Sequence, residues 1–252
     1  MAALRGSPRH VFIGGLHRSG TSVLHDMLRA HPAVTGFRDT GVHRDEGQYL
    51  QSVIEPDGAF GGPGKFCLDP RAHITDADRP RYAARLPTLH AQWAKHWAAD
   101  RAIRVEKSPP NLIRSRFLQS AFEDARFVFI VRHPLAVARA TVKWTHGTVE
   151  QALRHWFAAH RMLTDDARWL KRSVCVRYED IALDLNAALG PVWAIMDAPP
   201  IETAQSLFED RNGAYLDGAH DAVLSAQDRL VLAHFGYRLA APFTLHERRY
   251  GW

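Results

Sequence analysis

The 252-residue sequence predicts an α/β fold of three layers, a central and mainly parallel sheet flanked by helices. Three observations lead there. Short strand-like runs (Val11-Phe12-Ile13, Ile103 to Glu106, Arg126 to Val131 and Ser173 to Val176) alternate with longer stretches of helical periodicity. In the run RFVFIV at 126–131 every residue after Arg126 is apolar, as expected of a strand covered on both faces. The chain also shows no repeat, low-complexity segment or linker, so it reads as one domain over 1–252 with a Gly/Pro-rich insertion at about 55–75.

Taken in order, Val11-Phe12-Ile13 is a strand, Gly14 to Gly20 a turn, and Thr21 opens a helix with apolar Val23, Leu24, Met27 and Leu28. His31-Pro32 stops it, and the chain to Gln48 reads as irregular. A short helix is expected from Glu46 through Val53. The segment EPDGAFGGPGKFCLDPRAHIT at 55–75 is a long loop, either a lid or wall of a pocket or a surface excursion. Asp76 to Ala99 is expected to be helical with a bend at Pro87, and Trp93 and Trp97 to pack in the core. A strand at Ile103 to Glu106 and a helix at Asn111 to Ala121 follow. The strand at 126–131 ends at Arg132-His133-Pro134, with Pro134 at a first helical position. Thr148-x-x-Gln151 caps a long helix striped by Val149, Leu153, Trp156, Phe157, Leu163 and Leu170. After the strand at 173–176 comes a further helix. The part from Pro199 is expected to be helical, its last helix closed by Gly236.

Composition narrows the function. Hydrophobic content of 46% with 23% charged residues belongs to a folded chain. The net charge of +5 favours anionic ligands, yet no Lys/Arg run with interleaved aromatics argues for nucleic acid. Cys67 and Cys175 are the only cysteines and read as free thiols in a reducing compartment. With no apolar leader and no stretch of membrane-spanning length, a cytoplasmic protein without membrane association is expected. No two of the fifteen histidines stand two, three or four positions apart and there is no Cys-x-x-Cys, so no metal site is expected.

Strand, glycine turn and helix from His10 to Leu28 form a P-loop-like unit in which backbone N–H groups converge on an anion. Gly15-x-x-x-x-Gly20 has the P-loop spacing, but Thr21-Ser22 stand where a nucleoside-triphosphate loop needs Lys-Ser or Lys-Thr. The fixed charge is instead Arg18, with hydroxyls at Ser19, Thr21 and Ser22, which suits a smaller anion with no obligatory metal. The other strands end in polar signals too: Glu106-Lys107-Ser108, Arg132 and Tyr178. In a parallel sheet these share one edge, where ligands bind.

HRSGTSVLHDMLRAHP (17–32) resembles the 5′-phosphosulfate loop of sulfotransferases, in the branch that includes the protein-tyrosine sulfotransferases and many bacterial enzymes. The resemblance implies 3′-phosphoadenosine-5′-phosphosulfate (PAPS) as donor, adenosine 3′,5′-bisphosphate (PAP) as product, and Arg18, Ser19, Gly20, Thr21 and Ser22 around the 5′ group. It implies that Arg132 holds the 3′-phosphate. The serine expected eight residues later is here Ala140, so Thr141 is the candidate replacement. Tyr178, in Arg-Tyr-Glu-Asp, is expected near the adenine. Glu106-Lys107-Ser108-Pro109 resembles the segment whose lysine touches the transferred group, so Lys107 and Arg18 are the cations expected at the departing oxygen. The catalytic glutamate of such enzymes follows the first helix. Direct counting reaches Asp39, while matching a Glu-Glu pair to Asp45-Glu46 reaches Glu46, which is preferred, with His43 and Asp39 in reserve. The acceptor would be a small molecule, glycan or peptide. A P-loop small-molecule kinase and a non-catalytic nucleotide- or RNA-binding protein are the rival readings; the first lacks the lysine after Gly20, and the second rests on the basic charge alone.

Overall fold

A computed structural model describes residues 7–205, 208–216 and 223–239. Strand β1 (Arg9–Gly14) leads through the glycine turn into α1 (Thr21–Arg29) and then β2 (Val34–Gly36). Single 3₁₀ turns carry the chain to α2 (Arg79–Tyr82) and α3 (Leu86–Ala94). Next come β3 (Ile103–Lys107), α4 (Ser115–Ala121), β4 (Ala125–Val131), α5 (Pro134–Val142) and α6 (Val149–Ala167). β5 (Ser173–Arg177) is followed by α7 (Tyr178–Leu183), α8 (Leu185–Ile195) and α9 (Ala226–Phe235). The sheet order is β2-β3-β1-β4-β5, and every neighbouring pair is parallel.

The three layers follow from the two-residue period of the central strands. Val11 and Ile13 of β1, with Val128 and Ile130 of β4, face Leu24 and Leu28 of α1 and Leu185, Leu189 and Val192 of α8. Phe12, Phe127, Phe129 and Val131 face the other way, into a cluster with Trp93, Phe117, Leu153, Trp156 and Leu163. Each of these side chains is buried, which stabilises by about 1.5–3 kcal/mol apiece before entropy is counted.

Several expectations are corrected. The stretch after His31 contains the three-residue edge strand β2, too short to show an alternation. The helix expected over 46–53 is only a 3₁₀ turn at Gly47–Tyr49, because the Glu46 backbone is extended and the chain turns inward at once. Pro87 does not bend a long helix. It sits in the first turn of α3, and the preceding stretch is separate short turns. Trp97 lies beyond α3, but both indoles are core residues, donating to Gly47 O and Val105 O. Pro109–Ile113 is a 3₁₀ turn, so regular helix starts only at Ser115. The helix expected from Pro199 does not form: no α-helix occurs across the described residues to 216, where Gln205 and Asn212–Ala214 are 3₁₀. Residues 206–207 and 217–222 of that expectation lie outside the described residues. Gly236 does close α9, with φ of 72°.

The insertion at 55–75 packs as 3₁₀ turns that bury Asp57, Phe66, Cys67, Ala72 and Ile74. Cys67 and Cys175 are unpaired and buried. Among the described residues no helix is long and apolar enough to cross a membrane.

Candidate active site

The strand order reverses between β1 and β4, and the turns leaving those two strands form the floor of a cleft of about 530 Å³. Gly15 lets the loop lie against β4: a Cβ there would stand 2.5 Å from Ile130 O. Gly20 takes a φ of 98°, which a side chain would strain, and turns the chain into α1. The first bond of the helical ladder runs from Leu24 N–H to Gly20 O. The N–H groups of Thr21, Ser22 and Val23 precede it, at the positive end of the helix.

Of the sequence candidates, Arg18, Gly20, Thr21, Ser22, His43, Glu46, Arg132 and Tyr178 line this one cleft. Arg132 leaves β4 buried. Its Nε donates to Asn212 Oδ1 at 2.8 Å and its Nη1 to Arg18 O at 2.9 Å, while its guanidinium lies 4.1 Å from the centroid of Tyr178. Its Nη2 is buried with no partner among the described residues, and the same is true of Ser19 Oγ beneath the loop. The Tyr178 hydroxyl donates to Glu209 O and accepts from Arg211 N–H, both at 2.9 Å; burial raises its pKa.

Lys107 stands behind the cleft wall, not in it. It is fully buried, donating from Nζ to Arg44 O at 2.9 Å and pairing with Glu46 Oε1 at 3.2 Å. Glu46 Oε2 accepts from Gln48 Nε2 at 2.7 Å. The neighbouring Glu106 points elsewhere: its carboxyl takes Gly47 N–H, Ser108 Oγ and Asn111 Nδ2, and burial pushes its pKa up to about 7. Glu106 thus ties the end of β3 to the 46–48 turn, which carries Glu46 to the cleft.

Three candidates stand apart. Thr141 is buried in a separate small cavity with Leu16, Gly64 and His155, because its place on α5 points it toward α6. Asp39 is exposed beside Arg38, and Asp45 accepts from the N–H and hydroxyl of Thr40.

The cleft also holds residues that the sequence did not single out: His17, Arg44, Trp144, Phe208, Glu209 and Arg211. His17 Nε2 lies 3.1 Å from Asp57 Oδ2. Burial would raise the Asp57 carboxyl, but the His17 and Tyr49 hydrogen bonds hold it below its ordinary value. None of residues 55–75 lines the cleft; the insertion meets it from behind, where Asp57 pairs with His17 and the Phe66 ring meets the His17 ring edge-on. Phe208, Glu209 and Arg211 come from an irregular segment with no periodicity to reveal it, held in place by Tyr178 and Arg132.

A Sulfotransferase family model matches residues 8–200. In sequence the chain is similar to protein-tyrosine sulfotransferase 2 of Gallus gallus, 28% identical over 186 residues. That is 69% of this chain and 47% of the relative, so the chain spans about half the relative's length. In fold it is similar to the sulfotransferase domain from the Synechococcus PCC 7002 olefin synthase, with a TM-score of 0.60 at 19% identity over 95% of this chain and 98% of that one. The sulfotransferase domain from the curacin biosynthetic pathway gives 0.57 at 15% identity, covering 92% and 99%. The matched span holds the glycine turn, the end of β3, Arg132 and Tyr178 in one stretch of chain, and on that match the protein belongs to the sulfotransferase family.

Proposed function

We propose that the chain transfers a sulfuryl group from PAPS to a hydroxyl or amine of a small-molecule, glycan or peptide acceptor. The observation that carries this is the buried, unpartnered Nη2 of Arg132, whose guanidinium sits against the Arg18 carbonyl of the glycine turn in the same cleft. A buried guanidinium donor without an acceptor is costly unless a ligand supplies one. Ser19 Oγ, the free N–H groups of Thr21 to Val23 and the exposed Arg18 ask for a second anionic group. Two sets of unsatisfied donors in a cleft also lined by the rings of Tyr178 and Phe208 suit a nucleoside phosphorylated at both ends. The residues fit PAPS on these grounds.

When bound, PAPS supplies a sulfuryl group on a phosphate leaving group. The chain's own part is electrostatic and positional. Arg18 and the first turn of α1 stabilise charge at the 5′ end. Arg132 clamps the 3′-phosphate, and Arg211, whose N–H is bonded to Tyr178 OH, brings a second guanidinium to that end where Ala140 cannot donate. Glu46 takes the acceptor's proton. Lys107 acts through Glu46, fixing its carboxylate from behind.

Calorimetric titration with PAP against ATP–Mg²⁺, followed by turnover of labelled PAPS across an acceptor panel, tests this. PAP is expected to bind at least tenfold more tightly than ATP–Mg²⁺ (about 1.4 kcal/mol). The reverse order would favour a kinase, and steeply salt-dependent RNA binding without PAPS turnover would favour the non-catalytic reading.

A further inference from the structure

We propose that Trp144 is a positioning residue that aims Arg18 at the 5′ anionic group by ring contact alone, leaving the guanidinium's N–H groups free for the ligand. This rests on the nucleotide reading above.

Trp144 lies between α5 and α6, lines the cleft and is 44% exposed, outside both hydrophobic clusters. Packing therefore does not explain a large aromatic residue here. Its ring gathers groups from two distant segments. The Arg18 guanidinium lies 4.7 Å from the ring centroid, the His43 ring stacks at 6.0 Å and 20°, and the His17 ring sits at 5.7 Å and 57°. Arg18 has a left-handed backbone, φ 70°, in the turn that meets the anion. Its guanidinium has no hydrogen bond or ion pair among the described residues, so the indole is what holds it.

A carboxylate could also hold Arg18, but it would neutralise the charge and occupy the in-plane donors. An aromatic face attracts the cation through its quadrupole and takes none of those donors. The Arg132 guanidinium also lies against rings, 4.1 Å from Tyr178 and 5.5 Å from Tyr215, but there Nε and Nη1 are hydrogen-bonded as well and only Nη2 is left for a ligand. Both cations expected to meet an anion thus lie against aromatic rings, Arg18 on Trp144 and Arg132 on Tyr178.

The test is a double-mutant cycle read by calorimetric titration with PAP and with adenosine 3′-phosphate, on wild type, Arg18→Ala, Trp144→Leu, Trp144→Phe and the Arg18→Ala/Trp144→Leu pair. Trp144→Leu is expected to weaken PAP about tenfold, while Trp144→Phe, which keeps a ring, stays within about threefold. The double variant should bind PAP no more weakly than Arg18→Ala, since the indole acts only through that cation. Adenosine 3′-phosphate, which has no 5′ group, should be unaffected by either Trp144 variant. Trp144→Gln, without a ring, should repeat the Leu result if the Leu variant does not fold. Wild-type PAP affinity in Trp144→Leu or Trp144→Gln, additive losses in the double variant, or an equal loss for adenosine 3′-phosphate would overturn the proposal while leaving the nucleotide reading intact. A wild-type protein that binds no PAP would refute the nucleotide reading, and the proposal with it.

Discussion

Lys107 Nζ lies 3.2 Å from Glu46 Oε1; both side chains are buried, Glu46 in the lining of the cleft and Lys107 behind it. The two residues that the sequence offered as separate catalytic groups are therefore one unit, a carboxylate at the cleft surface and the cation that fixes it.

Removing either member should have different consequences. Glu46→Gln still offers Lys107 an oxygen, so PAP binding should survive while turnover of labelled PAPS falls by about 10²–10⁴. Turnover near the wild-type rate would remove Glu46 from the reaction. Lys107→Met strips a buried carboxylate of its partner and should cost about 3–5 kcal/mol in urea unfolding.

If Arg132 holds the 3′-phosphate, it discriminates between phosphates. Arg132→Lys keeps the charge and loses the planar fork, so PAP should bind about 10- to 100-fold more weakly. Adenosine 5′-phosphate, without the 3′ group, should lose much less. Equal losses for both nucleotides in calorimetry would place Arg132 elsewhere on the ligand.

Gly15 tests the seating of the loop. In Gly15→Ala the new methyl meets the Ile130 carbonyl, a backbone atom that cannot swing aside. A loss of about 2–4 kcal/mol in denaturant unfolding is expected, with PAP affinity lost in the fraction that remains folded.

Acid should unfold the protein early. Burial pushes His25, His155 and His160 down to about 3 and His133 to about 4. Their folded pKa values lie below the unfolded value, so the unfolded chain binds more protons as pH falls below about 6.5. Stability is full above that pH and is lost on acidification. Each of the four forfeits about 1.4 kcal/mol by about pH 5.5, an appreciable part of a typical 5–15 kcal/mol. Glu106 runs the other way: with its pKa raised to about 7, its contribution is full below 4.5 and is lost as pH rises through 7. One group does not offset four, so the urea midpoint should fall steeply between about pH 6.5 and 5. A flat midpoint across that range would show that these histidines are not buried neutral.

The sequence by itself determined the parallel α/β core, the glycine turn after β1 and the polar residues Lys107, Arg132 and Tyr178 at the ends of the other strands. These are local features: a hydrophobic period, a glycine spacing, a charge directly after an apolar run. Only the tertiary structure decided which of them meet. Lys107 finds Glu46 across 61 residues, Arg132 finds Asn212 across 80, and Trp144 reaches back to Arg18. It also moved Thr141 out of the site and brought in Phe208 and Arg211 from an irregular segment. Such pairings depend on how layers stack and where loops cross the sheet edge, and no short window of sequence holds both partners.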